Sequence, residues 1–311
     1  MKIQDILKKQ HYNVVGKSSA IKICSWAKKS LLDSGFCYKE KFYGIKSHLC
    51  CQISPSIACQ NRCLHCWRAI ELTPNEKEIK FDKPNELIDK CILAQRKMIT
   101  GFKGFERSNK TKWKEAQNPK HFAISLLGEP TLYPYLADLI LELKKRKLTS
   151  FLVTNGLNPA KLMELARKKA LPNQLYISLN SPNRELYDKM HNSTKKDAWK
   201  KFNETLSLLP KLKTRKVLRM TIVKDLNMDE KMIEGYSKLI KKAKPDFVEV
   251  KGYMSVGFAR QRLGYKKMPW HHEVKEFARK LAKALNLQIL DEQEESRVVL
   301  LGKNKKKMKI K

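Results

Sequence analysis

Long apolar runs are missing from this chain. No stretch approaches the roughly eighteen uninterrupted apolar residues that a membrane-spanning helix requires, so no membrane span is expected. The amino terminus, Met1-Lys2-Ile3-Gln4-Asp5, has no apolar core of a secretory signal, and a cytoplasmic protein is expected. Acidic side chains are scarce: 31 Asp and Glu face 65 Lys and Arg, a net charge of +34. Lysine-rich thermophile surfaces usually balance lysine with glutamate. That balance is absent here, which points to a polyanionic partner, nucleic acid first. No Pro/Gly-rich linker and no internal repeat divides the 311 residues, enough for one large domain or two small ones. Cysteine is absent after Cys91.

The eight cysteines that are present all precede that point. Cytosolic thiols stay reduced, so core residues or metal ligands are expected rather than a disulfide framework. Three fall within Cys59-Gln60-Asn61-Arg62-Cys63-Leu64-His65-Cys66-Trp67. A short loop with this spacing lets three thiolates converge on one centre. A structural zinc site wants four protein ligands. Three local cysteines without a fourth point to a 4Fe–4S cluster with one iron open to a substrate or cofactor. A zinc knuckle borrowing a distant ligand is the alternative.

Along the chain, Ala20, Cys24, Ala27 and Leu31 fall on one helical face, and Gly35 ends that helix. Phe36 to Gly44 reads as a polar and aromatic loop, and Cys51–Pro55 as the first strand. A surface loop is expected over Asn75–Lys80, then a helix from Pro84 bearing Leu87, Ile88, Cys91 and Ile92. Gly101–Lys120 is basic and long for a plain connection, and reads as a functional insertion. Strands then alternate with helices: strands at Phe122–Leu127, Ser150–Thr154, Gln174–Leu179, Val217–Val223 and Phe247–Tyr253, and a β-hairpin from Leu287–Leu290 and Val298–Leu301. Lys303–Lys311 reads as a disordered basic tail. Six β–α units in series argue for a parallel sheet with helices outside. An open, partial (β/α)6 barrel fits the count, and so does a doubly wound sheet; in either, chemistry belongs at the carboxyl ends of the strands.

Those ends are polar and relieved by glycine. They read Gly128-Glu129-Pro130, Thr154-Asn155-Gly156 and Ser178-Leu179-Asn180-Ser181, with Arg219 and Thr221, and Glu249, Lys251 and Gly252, on the next two strands. Singly each is explained by capping or a turn. Together they lie on the face that carries the cysteine loop.

CxxxCxxC followed by Gly-Glu-Pro, Thr-Asn-Gly and Ser-Leu-Asn resembles the radical S-adenosylmethionine (SAM) superfamily. More narrowly, the amino-terminal cysteines, Cys66-Trp67-Arg68 and Ser178-Leu179-Asn180-Ser181-Pro182 resemble the archaeal tRNA 4-demethylwyosine synthase family, over nearly the whole chain. The usual Gly-Gly-Glu is Leu127-Gly128-Glu129 here. The resemblance implies a partial (β/α)6 TIM-like barrel over residues 51–286. An amino-terminal helical extension (1–50) would carry the cysteines of a second cluster, and a hairpin with a basic tail (287–311) would close the chain. It implies a carbon–carbon lyase/synthase using SAM and two 4Fe–4S clusters. Two carbons of pyruvate would be joined to 1-methylguanosine beside the anticodon of tRNA-Phe, closing a third ring. Cys59, Cys63 and Cys66 match the ligands of the SAM cluster, and Cys24, Cys37 and Cys50 those of the second. Gly128, Glu129, Thr154, Asn155, Ser178 and Asn180 would contact SAM. A lysine would hold pyruvate as a Schiff base, with Lys39 preferred, Lys41 next and Lys46 behind. The chain lacks the flavodoxin-like domain of eukaryotic relatives, so an external electron donor is expected, and a monomer.

The residues themselves leave room for other readings. Cys24 sits on an apolar stripe and is equally a buried structural cysteine. Cys51 opens a strand and is expected to face the core, as is Cys91. Trp67, Trp113 and Phe105 are candidates for base stacking, and equally for packing. Methylation or thiolation of an RNA base would keep the radical chemistry, but methyl transfer of this type usually needs a late cysteine. A zinc-stabilised RNA-binding protein without catalysis is the third reading.

Overall fold

Six parallel strands lie side by side in the order in which the chain makes them: β3 (Cys50–Ser54), β4 (His121–Ile124), β5 (Thr149–Thr154), β6 (Gln174–Ser178), β7 (Arg215–Ile222) and β8 (Phe247–Gly252). The structure is a computed structural model and describes residues 3–74 and 79–310; the loop expected over Asn75–Lys80 lies largely outside them. A doubly wound sheet breaks strand order at a switch point. This sheet has no such break, so the partial barrel is the fold. Two antiparallel hairpins extend it. β1 (Asn13–Val15) and β2 (Ser19–Ile21) pair onto β3, and β10 (Val298–Gly302) with β9 (Gln288–Gln293) pairs onto β8. β1 and β9 are the outer edges and do not meet, so the barrel stays open.

Burial divides each strand by its alternation. Cys51 and Ile53 of β3 face outward into the main apolar cluster. That cluster also takes Leu136, Leu139, Ile140 and Leu143 from the helix Leu136–Lys145, and Val274, Phe277, Ala278 and Leu281 from the helix His271–Leu285. Each such Val, Ile, Leu or Phe side chain contributes about 1.5–3 kcal/mol. Cys91 is fully buried in the same cluster, as expected. The alternate residues, Phe151, Tyr176, Val217 and Phe247, face the lumen.

Three expectations fail here. Ala20 belongs to β2 rather than to a helix, and the helix in this region is Ser25–Leu31. Phe36 to Gly44 is not a plain loop: Tyr38–Tyr43 is helical, with Gly44 at φ +77° in the left-handed cap. A six-residue helix shows no usable periodicity, and this one inserts Tyr38, Phe42 and Tyr43 into the lumen. The basic tail is also ordered. Met308 is buried in that lumen cluster, Ile310 N–H donates to the Tyr43 carbonyl at 3.1 Å, and Arg215 donates to the Met308 carbonyl. One apolar side chain in a run of lysines suffices to dock it.

The basic insertion braces the amino-terminal extension. Its helix Lys110–Ala116 begins at Asn109, whose N–H donates to the Leu31 carbonyl at 2.8 Å and whose amide reaches Asp33. Lys112 pairs with Asp33, and Glu115 lies 2.6 Å from His48 Nε2.

Candidate active site

The cysteine loop leaves the carboxyl end of β3 without regular structure, so distant segments hold its shape. Arg62 N–H donates to the His191 carbonyl at 2.8 Å, Leu64 N–H to Met190 at 3.0 Å, and Thr194 N–H to Gln60 at 2.8 Å. From the other side the Arg262 guanidinium donates to the carbonyls of Leu64, Cys66 and Arg68. Gly257, at φ +56°, passes against Trp67, where a Cβ would stand 2.5 Å from the carbonyl oxygen. Held this way, Cys59, Cys63 and Cys66 line one cavity of about 190 Å³ with Glu129, Thr154, Asn155, Ser178, Asn180 and Arg219. Arg68 Nε lies 3.1 Å from Cys66 Sγ.

The strand tips build the rest of the wall. Gly128 has φ +62°, and a Cβ there would stand 2.1 Å from the Ser56 carbonyl oxygen. Glycine thus lets this tip pass beneath the cysteine loop, and Glu129 N–H donates to the Ala58 carbonyl at 2.7 Å. The Glu129 carboxylate accepts from Asn155 N–H at 2.8 Å, Thr131 N–H at 3.1 Å and the hydroxyls of Thr131 and Thr154. Leu127, where the superfamily carries a glycine, packs with Leu7, Tyr12, Ala20 and Leu126. The Asn180 amide lies 3.3 Å from His65 Nε2 and from His191 Nε2, and its carbonyl accepts from Thr221 N–H at 2.8 Å. Burial pulls His65 down to about 3 and His191 to about 4, so both stay neutral. The side chains of Glu129 and Asn180 are therefore spent on the scaffold, while Ser178 and Asn155 also line the cavity. Among the described residues three lining groups stay buried without a hydrogen-bond partner: the Asn61 amide, His65 Nδ1 and Arg219 Nη2. Three thiols without a fourth cysteine, beside unsatisfied polar groups, fit a 4Fe–4S cluster with bound SAM.

The second set of cysteines lies toward the other end of β3. Cys50 opens that strand on the face opposite Cys51. Cys24 and Cys37 are the N-cap residues of Ser25–Leu31 and Tyr38–Tyr43, where the helix dipole favours a thiolate. Cys37 N–H donates to Ser47 Oγ at 2.9 Å, and Ser47 to Glu40 at 2.6 Å, which closes the loop between Cys37 and Cys50. Burial pushes the Cys37 thiol up to about 11 and Cys50 to about 12. After burial, Cys50 feels Cys24, Lys39 and Cys37, so the three cysteines and this lysine are electrostatic neighbours. Cys51 is fully buried beside Cys91 instead. Among the described residues no three His, Cys, Asp or Glu side chains are set to hold a single metal ion.

Lys39 and Lys41 diverge. Lys39 Nζ lies in the lumen, 5.2 Å from the Tyr176 ring centre and 5.8 Å from that of Phe151. Burial first, then Arg219, lowers its pKa, while Cys37 and Cys50 oppose. Lys41 points outward, 3.0 Å from Asp291, and lines an open groove of about 720 Å³ with Trp270 and Lys275. The structure does not bring it to the cavity; Lys46 is exposed as well. Trp67 and Phe105 are exposed, whereas the Trp113 indole donates to the Ile99 carbonyl and, like Cys24, packs against the small cluster of Ile23, Ala27 and Leu31.

Sequence reasoning missed Arg219, Glu249 and Lys251 as site residues, though it noted them at strand ends. Arg219 Nε donates to Glu249 Oε2 at 2.8 Å, and burial, then Arg219, lowers Lys251 to about 8. Their alternation on β7 and β8, toward one lumen, was the available signal. Arg262 left none, since it lies far along the chain from the loop it holds.

With this geometry in place, the chain can be set beside known proteins. The radical SAM superfamily pattern matches residues 53–234, and that of wyosine base formation residues 242–303. The S-adenosyl-L-methionine-dependent tRNA 4-demethylwyosine synthase of Pyrococcus abyssi is 46% identical over 302 residues, covering 96% of this chain and 88% of its own length. The Methanocaldococcus jannaschii enzyme of that name is 37% identical, covering 98% and 97%. The human enzyme is 35% identical over 98% of this chain but only 41% of its own length. A structure of TYW1 with a lysine–pyruvate adduct bound superposes with a TM-score of 0.87 at 37% identity, over 99% of this chain and 97% of its own.

Proposed function

The chain belongs to the radical SAM tRNA 4-demethylwyosine synthases, and we propose that it condenses pyruvate with 1-methylguanosine of tRNA-Phe, with Lys39 as the amine that holds pyruvate. The observation that carries this reading is the placement of Lys39, half-buried in the lumen near Cys24, Cys37 and Cys50, over the same Tyr176 ring that Arg219 of the SAM-cavity wall approaches. Cys59, Cys63 and Cys66 would hold the SAM cluster, and Cys24, Cys37 and Cys50 a second 4Fe–4S cluster. When bound, cluster and SAM supply a 5′-deoxyadenosyl radical for hydrogen abstraction from the substrate methyl group.

The remaining work falls to side chains. Desolvation and the Arg219 charge favour the neutral Lys39 amine. Its nitrogen bonds to the carbonyl carbon of pyruvate, the carbonyl oxygen leaves as water, and the imine keeps the ketoacid in the lumen. The strand tips position SAM: Gly128, Glu129, Thr154, Asn155, Ser178 and Asn180 line its cavity. The surplus of Lys and Arg meets the tRNA backbone, and the target base is swung out to reach the lumen. In this reading the enzyme is a cytoplasmic monomer that takes electrons from a separate donor and acts as a carbon–carbon lyase on pyruvate.

The test is anaerobic SAM cleavage. Reduced protein should release 5′-deoxyadenosine, faster with 1-methylguanosine-containing tRNA. Colourless protein with bound zinc and no cleavage would place the chain among non-catalytic RNA binders.

A further inference from the structure

Arg219 belongs both to the wall of the SAM cavity and to the surroundings of Lys39. Its Nε donates to Glu249 Oε2 at 2.8 Å, and its guanidinium carbon lies 4.4 Å from the Tyr176 ring centre and 6.0 Å from that of Tyr38. Glu249 is fixed in turn by the hydroxyls of Tyr43, at 2.7 Å, and Tyr38, at 3.1 Å. These contacts set the plane of the guanidinium and leave Nη2 without an acceptor among the described residues. The side chain is 18% exposed, and it lines the cavity. A buried donor without a partner costs about 1–3 kcal/mol, and more when charged. An acceptor brought by a ligand removes that cost. The Tyr176 ring near Arg219 also lies near Lys39 Nζ. Charge points the same way: Lys39, Arg219 and Lys251 surround the Glu249 carboxylate, whose oxygens are already engaged by Tyr38, Tyr43 and Arg219.

We propose that Arg219 is the carboxylate anchor for the 2-oxo acid, gripping it through Nη2 so that its carbonyl meets Lys39. This rests on the assignment of Lys39 as the reacting amine. A guanidinium fork matches a carboxylate in shape and charge. It also sets specificity, because an uncharged aldehyde or ketone leaves Nη2 unpaired. SAM carries a carboxylate too, and Arg219 lines its cavity, so the two sources need separate arms in the test.

The experiment is reductive trapping with cyanoborohydride on cluster-loaded protein, using pyruvate and, in parallel, acetaldehyde. Peptide mass spectrometry assigns the adduct to Lys39. Wild type is compared with Arg219→Lys, which keeps the charge opposite Glu249, and with Arg219→Gln. Iron content, thermal midpoint and SAM dissociation constant are measured on the same preparations. The expected result is a fall of about tenfold in the preference for pyruvate over acetaldehyde in both variants, whether or not SAM affinity also falls. An unchanged preference overturns the proposal: with weakened SAM binding, Arg219 holds the SAM carboxylate, and with neither changed it only pairs with Glu249. Absence of any Lys39 adduct in wild type removes the amine from the site, and the anchor with it. An adduct on Lys39 with unchanged preference leaves the Lys39 assignment standing and defeats the anchor alone.

Discussion

Glu129 accepts the backbone N–H of Asn155 at 2.8 Å, so the tip of one barrel strand is clamped to the tip of the next. The same carboxylate takes the Thr131 and Thr154 hydroxyls. Its part in holding SAM is therefore to shape the cavity. Glu129→Ala strands these donors, at about 1–3 kcal/mol each for those that water cannot reach. The variant should lose thermal stability and bind SAM at least about tenfold more weakly, while Glu129→Gln, which keeps an acceptor, should lose less. Calorimetric SAM titration of the two variants reads the difference.

Lys39 and Lys41 are separated by a single residue yet face different surroundings. Lys39→Ala should abolish reductive trapping of pyruvate and product formation. Lys41→Ala removes an ion pair with Asp291 that is worth at most about 1 kcal/mol at this exposure, and should leave trapping near wild type. Trapping on Lys41 in the Lys39→Ala protein would reverse the assignment.

Adjacent Cys50 and Cys51 should differ in the same way. Cys24→Ala, Cys37→Ala and Cys50→Ala should each lose about half the iron, as should Cys59→Ala, if two clusters of equal size are present. Cys51→Ala and Cys91→Ala should keep all of it, because both thiols are packed in the apolar cluster. Anaerobic iron and sulfide counting decides each case.

Acid should weaken the fold through His191. Burial holds its folded pKa at about 4, below the ordinary 6.5. Between these values the unfolded chain takes up a proton that the folded chain refuses, so stability rises with pH there and is lost as pH falls below about 6.5. The loss from this residue is about 2 kcal/mol at pH 5. His191→Asn should flatten the decline of the urea midpoint between pH 7 and pH 5 relative to wild type. A parallel decline would show that His191 does not set it.

Much of this was legible in the sequence, for identifiable reasons. The β–α alternation and the CxxxCxxC loop are local patterns, and the six-strand barrel and the first set of thiols follow from them. Choosing the barrel over a doubly wound sheet needed strand order, which no local pattern encodes. The helix Tyr38–Tyr43 was hidden because six residues show little periodicity and its caps are a cysteine and Gly44. The ordered tail was hidden because Met308 is a single apolar side chain among lysines. Arg262 and the Arg219–Glu249 pair act across long stretches of chain, joined only once the barrel has formed.

The central claim is that this chain builds the tricyclic base from pyruvate. The direct measurement is an anaerobic incubation of cluster-loaded protein with 1-methylguanosine-containing tRNA-Phe, SAM, a reductant and carbon-13-labelled pyruvate, followed by mass spectrometry of the nucleosides. The account predicts 4-demethylwyosine carrying two carbons from pyruvate, and none from the Lys39→Ala protein. Intact clusters and active SAM cleavage with no tricyclic nucleoside would contradict it.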